Sequence, residues 1–170
     1  LLPNDAYELI SRLKKETKLP IELHSHCNGG VCEMTYMKAI EAGVDIIDTA
    51  LSPLGGGTSQ PCTESFNYAL KGTKYDPKLD QNQLDKAAAT LNKIKDKYLK
   101  NGTLKAKALS SNPNILRYQV PGGMLSNLMS QLEKQGAMDR YEDVLKEVPL
   151  VRKDMGYPPL VTPLSQMVGT

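Results

Sequence analysis

Over residues 1–71 the apolar residues alternate between two periods. Tyr7, Ile10 and Leu13 recur at helical spacing, Asn4 or Asp5 can cap the segment, and Arg12, Lys14 and Lys15 suit a C-terminal end. This predicts a helix to about Lys15. Pro20 stops it, and Leu19 to His26 then alternates as a strand does. Asn28-Gly29-Gly30 reads as a turn, Val31 to Ala42 as a helix closed by Gly43, and Val44 to Ala50 as a second strand. A glycine-rich loop, Gly55 to Pro61, leads into a helix from about Cys62 to Lys71. Helix, strand, helix, strand, helix is the order of a parallel α/β sheet or barrel.

The pattern beyond that stretch is helical. Leu84, Ala88, Leu91, Ile94 and Tyr98 form one stripe of a helix from about Gln81 to Lys100. Val120 to Met124 reads as a sharp turn into a helix from about Leu125 to Gln135. Another helix runs from about Asp139 to Asp154, with a kink or break expected at Pro149. The tail from Leu160 to Gln166 reads as an ordered loop. The expected division is therefore 1–72, the last strands and helices of an α/β barrel, and 73–170, a helical region. Two strands cannot close a barrel of eight. Since the chain also opens without Met at a helix entrance, further residues are expected before Leu1 and after Thr170.

Composition narrows the function classes. Twenty-one basic and 19 acidic residues, net +2, are spread along the chain, which argues against a nucleic-acid binder. No apolar run approaches the ~20 residues that cross a bilayer, and the N-terminus lacks the features of a signal peptide. Cys27, Cys32 and Cys62 are too few and too irregular for a disulfide framework, so reduced thiols in a cytoplasmic protein are expected.

His24 and His26 are the two histidines of the chain. On a strand, residues i and i+2 share a face about 6.6–6.8 Å apart, close enough for two imidazoles to converge on one ion. They fall at the strand's C-terminal end, where barrel enzymes keep their active sites. The spacing alone equally describes two solvated polar residues, and the flanking strand–turn–helix context favours metal. Two ligands are too few for a catalytic ion, which takes about three protein ligands and an open position. Asp45 and Asp48 face opposite ways on the next strand, and Asp48 can support a histidine. Gly55 to Pro61 lacks the Lys of a P-loop and reads as a plain connection rather than an anion site. Met37-Lys38-Ala39 lies mid-helix, so Lys38 reads as a surface lysine rather than a biotin acceptor.

Here the residues become recognisable. The segment LPIELHSHCNGGVCEMTYMKAIEAGVDIID, Leu19 to Asp48, resembles the His-x-His strand of the carboxyltransferase domains of biotin-dependent enzymes. These include pyruvate carboxylase, the oxaloacetate decarboxylase alpha chain and the transcarboxylase 5S subunit. The resemblance continues through DTALSPLGGGTSQPCTES, PGGMLSNL and VTPLSQMVG, and is weakest from about Thr73 to Leu109. RKDMGYPPLVTPLSQ resembles the decarboxylase alpha and 5S types more than the single-chain pyruvate carboxylases.

The resemblance implies the C-terminal portion of a TIM-type (β/α)8 barrel followed by a mainly helical funnel region. It implies a divalent metal (zinc, cobalt or manganese) held by His24 and His26 together with an Asp and a carbamylated Lys that this chain does not contain. It further implies Thr162 as a proton shuttle, Ser165 beside biotin, and biotin carried on another domain or subunit. The implied partners are a biotinyl carrier domain, a 2-oxo acid substrate, further copies of the chain in a homo-oligomer, and membrane subunits of a decarboxylase. The expected activity is carboxyl transfer between oxaloacetate or pyruvate and biotin, with the oxaloacetate decarboxylase alpha chain ranked first and pyruvate carboxylase or transcarboxylase 5S second. The family usually has Asp or Ala and then Thr after the second His; Cys27-Asn28-Gly29 departs from this, and Cys27 is expected to be passive.

Two other readings stand beside it. Metallolyase and acyl-transferase barrels, such as hydroxymethylglutaryl-CoA lyase and isopropylmalate synthase, also carry His-x-His, but lack the Gly-Thr-Ser-Gln-Pro, Pro-Gly-Gly-Met and Val-Thr-Pro segments. The chain by itself is expected to be inactive, as a truncated piece or an assembly element.

Overall fold

The computed structural model describes residues 1–118, 122–160 and 164–169, without the side chains of residues 122, 123, 125, 126, 165, 166 and 169. The chain divides into two compact units, Leu1–Asn112 and Pro113–Thr170. The change from alternating to helical elements thus comes earlier, near residue 72, than the change of packing unit.

The first unit begins with α1, Pro3–Glu16. The expected side-chain cap at Asn4 or Asp5 is not used. Pro3 takes the first helical turn, where its missing N–H costs nothing, and Leu2 stands outside without a capping bond. Strand β1 is Glu22–Leu23 and pairs in parallel with β2, Ile46–Ile47, in the register Glu22 to Ile46 and Leu23 to Ile47. Both are shorter than expected. Beyond Leu23 the chain stays extended but turns its hydrogen bonds elsewhere: Cys27 N–H donates to Ser59 O at 2.8 Å. Helix α2, Cys32–Glu41, makes the crossover between the strands, and Gly43 follows it with φ 94°, as the expected helix stop requires.

Ala6 and Ile10 of α1, one turn apart, face Cys32, Tyr36, Ala39 and Ile40 of α2 in the core of this unit, with Leu23, Cys27, Phe66 and Leu70. Helix α3, Thr63–Ala69, supplies Phe66, whose ring lies 5.8 Å from that of Tyr36. Helix α4, Gln81–Lys100, matches its expected bounds because both ends are marked in sequence. The Asp80 side chain accepts from the N–H groups of Asn82 and Gln83, and Lys97 and Lys100 close the helix. Asn67 ties α3 to the start of α4 by donating to Gln81 Oε1 at 2.9 Å.

The second unit contains α5, Asn114–Tyr118; α6, Gly122–Gln135; α7, Tyr141–Asp154; and α8, Leu164–Gly169. Met124, Leu128 and Leu132, four residues apart on α6, bury against Leu145, Val148 and Val168. Three expectations change here. The glycine pair expected to form a turn opens α6, and α7 passes through Pro149 as one helix. Proline removes one backbone hydrogen bond, yet Leu145 and Val148 beside it are buried and hold the turn in place. The expected tail loop is helical from Leu164.

No helix among the described residues is long and apolar enough to cross a membrane.

Candidate metal centre

The end of β1 delivers His24 and His26 to one side of the chain. Parallel pairing sets the level: Asp48 N–H donates to Leu23 O at 3.0 Å, placing the Asp48 side chain beside His24. His24 Nδ1 then lies 2.7 Å from Asp48 Oδ2. His26 Nδ1 lies 2.6 Å from the carbonyl oxygen of Thr58. A carboxylate and a carbonyl only accept, so each ring places its N–H at Nδ1 and its lone pair at Nε2. The two Nε2 atoms face each other at 3.2 Å, with the rings edge to face.

The backbone between the histidines is fixed from behind. Tyr36, fully buried, accepts from Ser25 N–H at 2.9 Å and donates to Ser25 O at 3.2 Å. Burial pushes its hydroxyl up to about 12, so it stays neutral in ordinary buffers. Ser111 Oγ donates to Cys27 O at 2.7 Å, and Asn112 N–H to Asn28 O at 2.6 Å.

The glycine-rich loop has a role that neither a plain connection nor an anion site describes. Its amides are already engaged: Gly56 N–H donates to Gln60 O and Ser59 N–H to Gly56 O within the loop, and Thr58 N–H to Ala108 O beyond it, each at 2.8 Å. Thr58 Oγ1 also donates to Ala108 O, at 3.0 Å. This leaves the Thr58 carbonyl aimed at His26. Gly57 is required here. Its φ is 52°, and a Cβ would sit 2.4 Å from Ala108 O and 2.6 Å from Leu109 C. Across the base of the loop, Glu64 is buried and accepts from Ser52 N–H at 2.9 Å and from Ser52 Oγ at 2.7 Å. Thr58, Tyr36 and Glu64 escape a reading by motif because their work depends on contacts distant in sequence.

Electrostatics agree with the geometry. Hydrogen bonding from His24, and then from Glu22, holds the Asp48 carboxyl below its usual range. The Asp48 hydrogen bond and negative charge raise Glu22. Asp48 therefore stays an acceptor while His24 faces it. The His24 side chain is 55% exposed, so the pair stands at the surface of the unit rather than in its core.

The donor set fits a divalent cation in part. Two imidazole Nε2 lone pairs converge, each with its ring oriented by an acceptor at Nδ1, the arrangement that metal-ligating histidines use. Among the described residues no group of three or more His, Cys, Asp or Glu side chains could hold a metal. By itself the pair would supply two of the about three protein ligands that a catalytic ion takes. Cys27 does not extend it: its side chain is buried, its thiol is pushed up chiefly by burial, and its Sγ lies 3.5 Å from Glu33 Oε1. Thr162 lies outside the described residues, as does the side chain of Ser165.

Comparisons with known proteins bear on the same residues. The HMGL-like family model matches residues 1–91, and a conserved carboxylase domain matches residues 115–170. A pyruvate carboxylase subunit of Methanocaldococcus jannaschii is 55% identical over the whole chain, which spans 30% of that relative. The methylmalonyl-CoA carboxyltransferase 5S subunit of Propionibacterium freudenreichii subsp. shermanii is 46% identical, again over the whole chain and 33% of the relative. The carboxyl transferase domain of Rhizobium etli pyruvate carboxylase, solved with pyruvate, superposes with a TM-score of 0.85 at 31% identity, covering 99% of this chain and 28% of that one. The chain thus spans about a third of the length of these two curated relatives. The expected fold class, a TIM-type barrel portion followed by a helical region, is that of these neighbours. The chain belongs to the HMGL-like family, in the branch whose barrel is joined to a conserved carboxylase domain: the carboxyltransferase domains of biotin-dependent enzymes.

Proposed function

We propose that the full-length protein transfers a carboxyl group between biotin and pyruvate, with His24 and His26 as two of its metal ligands. The observation that carries the reading is the pair of Nε2 atoms 3.2 Å apart, each ring anchored at Nδ1. The identity of 55% to the archaeal pyruvate carboxylase relative favours pyruvate carboxylation over the oxaloacetate decarboxylation ranked first on sequence. The same chemistry run backwards covers the second reading.

The bound divalent ion, zinc, cobalt or manganese, would supply Lewis-acid charge for the keto oxygen of the 2-oxo acid. Asp48 and Thr58 would keep both imidazoles aimed at it. Thr162 would move the proton. In the carboxylation direction the bond between carboxyl carbon and ureido nitrogen breaks, and a carbon–carbon bond to the pyruvate methyl carbon forms. The proton lost from that carbon passes through the Thr162 hydroxyl, which both donates and accepts, to the biotin nitrogen. Ser165 would lie beside the biotin ring. Biotin arrives on a carrier domain or a separate carrier protein.

The test uses the complete enzyme with its biotinylated carrier, carboxylated beforehand. Oxaloacetate should form from pyruvate, avidin should block it, and Thr162→Ala should abolish transfer while metal content stays unchanged. Turnover indifferent to avidin would return the protein to the lyase and acyl-transferase barrels. Carboxyl transfer to propionyl-CoA but not pyruvate would place it with the 5S type.

A further inference from the structure

Gln60 neither orients a histidine ring nor belongs to the proposed ligand set, yet its side chain stands at the mouth of the pair. Its Nε2 lies 3.4 Å from His24 Nε2 and 3.5 Å from His26 Nε2. Which end of the carboxamide faces the histidines is set from the other side: Ser59 Oγ donates to Gln60 Oε1 at 3.2 Å. The backbone of Gln60 is held independently, its carbonyl accepting from Gly56 N–H at 2.8 Å. The NH2 group therefore points at the two lone pairs that a cation would occupy.

We propose that Gln60 caps the metal-free pair and competes with the incoming ion. The inference rests on the reading of His24 and His26 as metal ligands. Two imidazole lone pairs 3.2 Å apart repel each other, and an amide that donates to both relieves this. Once a cation lies between them, the same N–H dipoles face positive charge. The cap thus stabilises the empty state and opposes the filled one. It does not orient the rings, since Asp48 and Thr58 hold both Nδ1 atoms. Removing the cap should raise metal affinity rather than lower it.

The test compares Zn²⁺ and Mn²⁺ binding to the full-length protein and its Gln60→Leu and Gln60→Glu variants by calorimetry or chelator competition. Circular dichroism establishes that each variant is folded. Gln60→Leu should bind about three- to tenfold more tightly, as the loss of two long hydrogen bonds in the metal-free state predicts. Gln60→Glu, which cannot donate and adds negative charge, should bind more tightly still. A second readout is the Gln60 side-chain amide resonance of the ¹⁵N-labelled protein, which should move at substoichiometric Zn²⁺. Unchanged or weaker binding in Gln60→Leu overturns the cap. No metal binding by the wild type, or binding that survives His24→Ala with His26→Ala, overturns instead the ligand reading beneath it.

Discussion

Asp48 Oδ2 and His24 Nδ1 are 2.7 Å apart across the β1–β2 pair, and that contact decides which nitrogen of the ring is offered outward. The carboxylate is exposed enough that its value to folding is small. Its value lies in orientation. Asp48→Ala should therefore fold normally and bind a divalent ion about 10- to 100-fold more weakly. Chelator competition on the full-length protein measures this, and an affinity equal to wild type would remove Asp48 from the site.

Gly57 and Gly30 both have positive φ, but their surroundings differ. A Cβ at Gly30 meets Ser111 Cβ at an ordinary 3.5 Å, whereas at Gly57 it collides with the backbone of residues 108–110. Gly30→Ala should cost about 1–2 kcal/mol from conformation alone. Gly57→Ala should cost visibly more and also weaken metal binding, because the Thr58 carbonyl must move. Urea denaturation of the two variants side by side gives the comparison; equal losses would mean that the loop yields freely.

Tyr36→Phe removes the hydroxyl that serves both Ser25 N–H and Ser25 O, and should destabilise by about 1–3 kcal/mol. The pH dependence has a definite sign. The folded state raises the Tyr36 hydroxyl from its ordinary 10 to about 12, so its contribution is complete below pH 10 and is lost as pH rises through 12. Wild type and Tyr36→Phe should converge in stability over that interval, in denaturation curves taken from pH 8 upward.

Asp45 turns away from the site. It accepts from Lys14 Nζ at 2.8 Å and from Ile21 N–H at 2.8 Å, joining the end of α1 to the start of β1. Those hydrogen bonds, the one from Lys14 foremost, lower its carboxyl. A lowered carboxyl stabilises above its unfolded value of about 3.9 and loses that effect as pH falls through the folded one. The melting temperature of Asp45→Asn should lie below wild type at pH 7, and the gap should close at acid pH. A gap constant with pH would show that the ion pair contributes nothing.

The histidine pair was legible in sequence because its logic is local. Two residues on one strand, a glycine turn and the next helix all fall within Leu19 to Glu41. Asp48 was legible too, since the level of adjacent strands is set by their pairing. The support of His26 was not. The partner is a backbone carbonyl, whose donor or acceptor role carries no side-chain signature, and Thr58 is aimed by Ala108, fifty residues further on. Strand lengths were overread because alternation marks an extended chain, whereas a strand also needs a neighbour, and past Leu23 the backbone bonds of Ser25 go to the Tyr36 hydroxyl and that of Cys27 to Ser59. At Pro149 the break offered beside a kink does not occur, for the opposite reason. Its local penalty is real, but the burial of Leu145 and Val148 outweighs it.

The closure of Thr58 on Ala108 also bears on how this protein can vary. The chain leaves the site after the glycine loop, runs out through α3 and α4, and returns to a fixed point. With both feet of the excursion pinned, residues added near its outer end do not displace His26. Lengthening such a closed loop costs little, about 0.6 kcal/mol for each doubling. Insertions and deletions should therefore gather between Thr73 and Lys105, within the stretch from about Thr73 to Leu109 where family resemblance is weakest, and a reporter peptide or purification tag could be housed there with the histidine pair left in place.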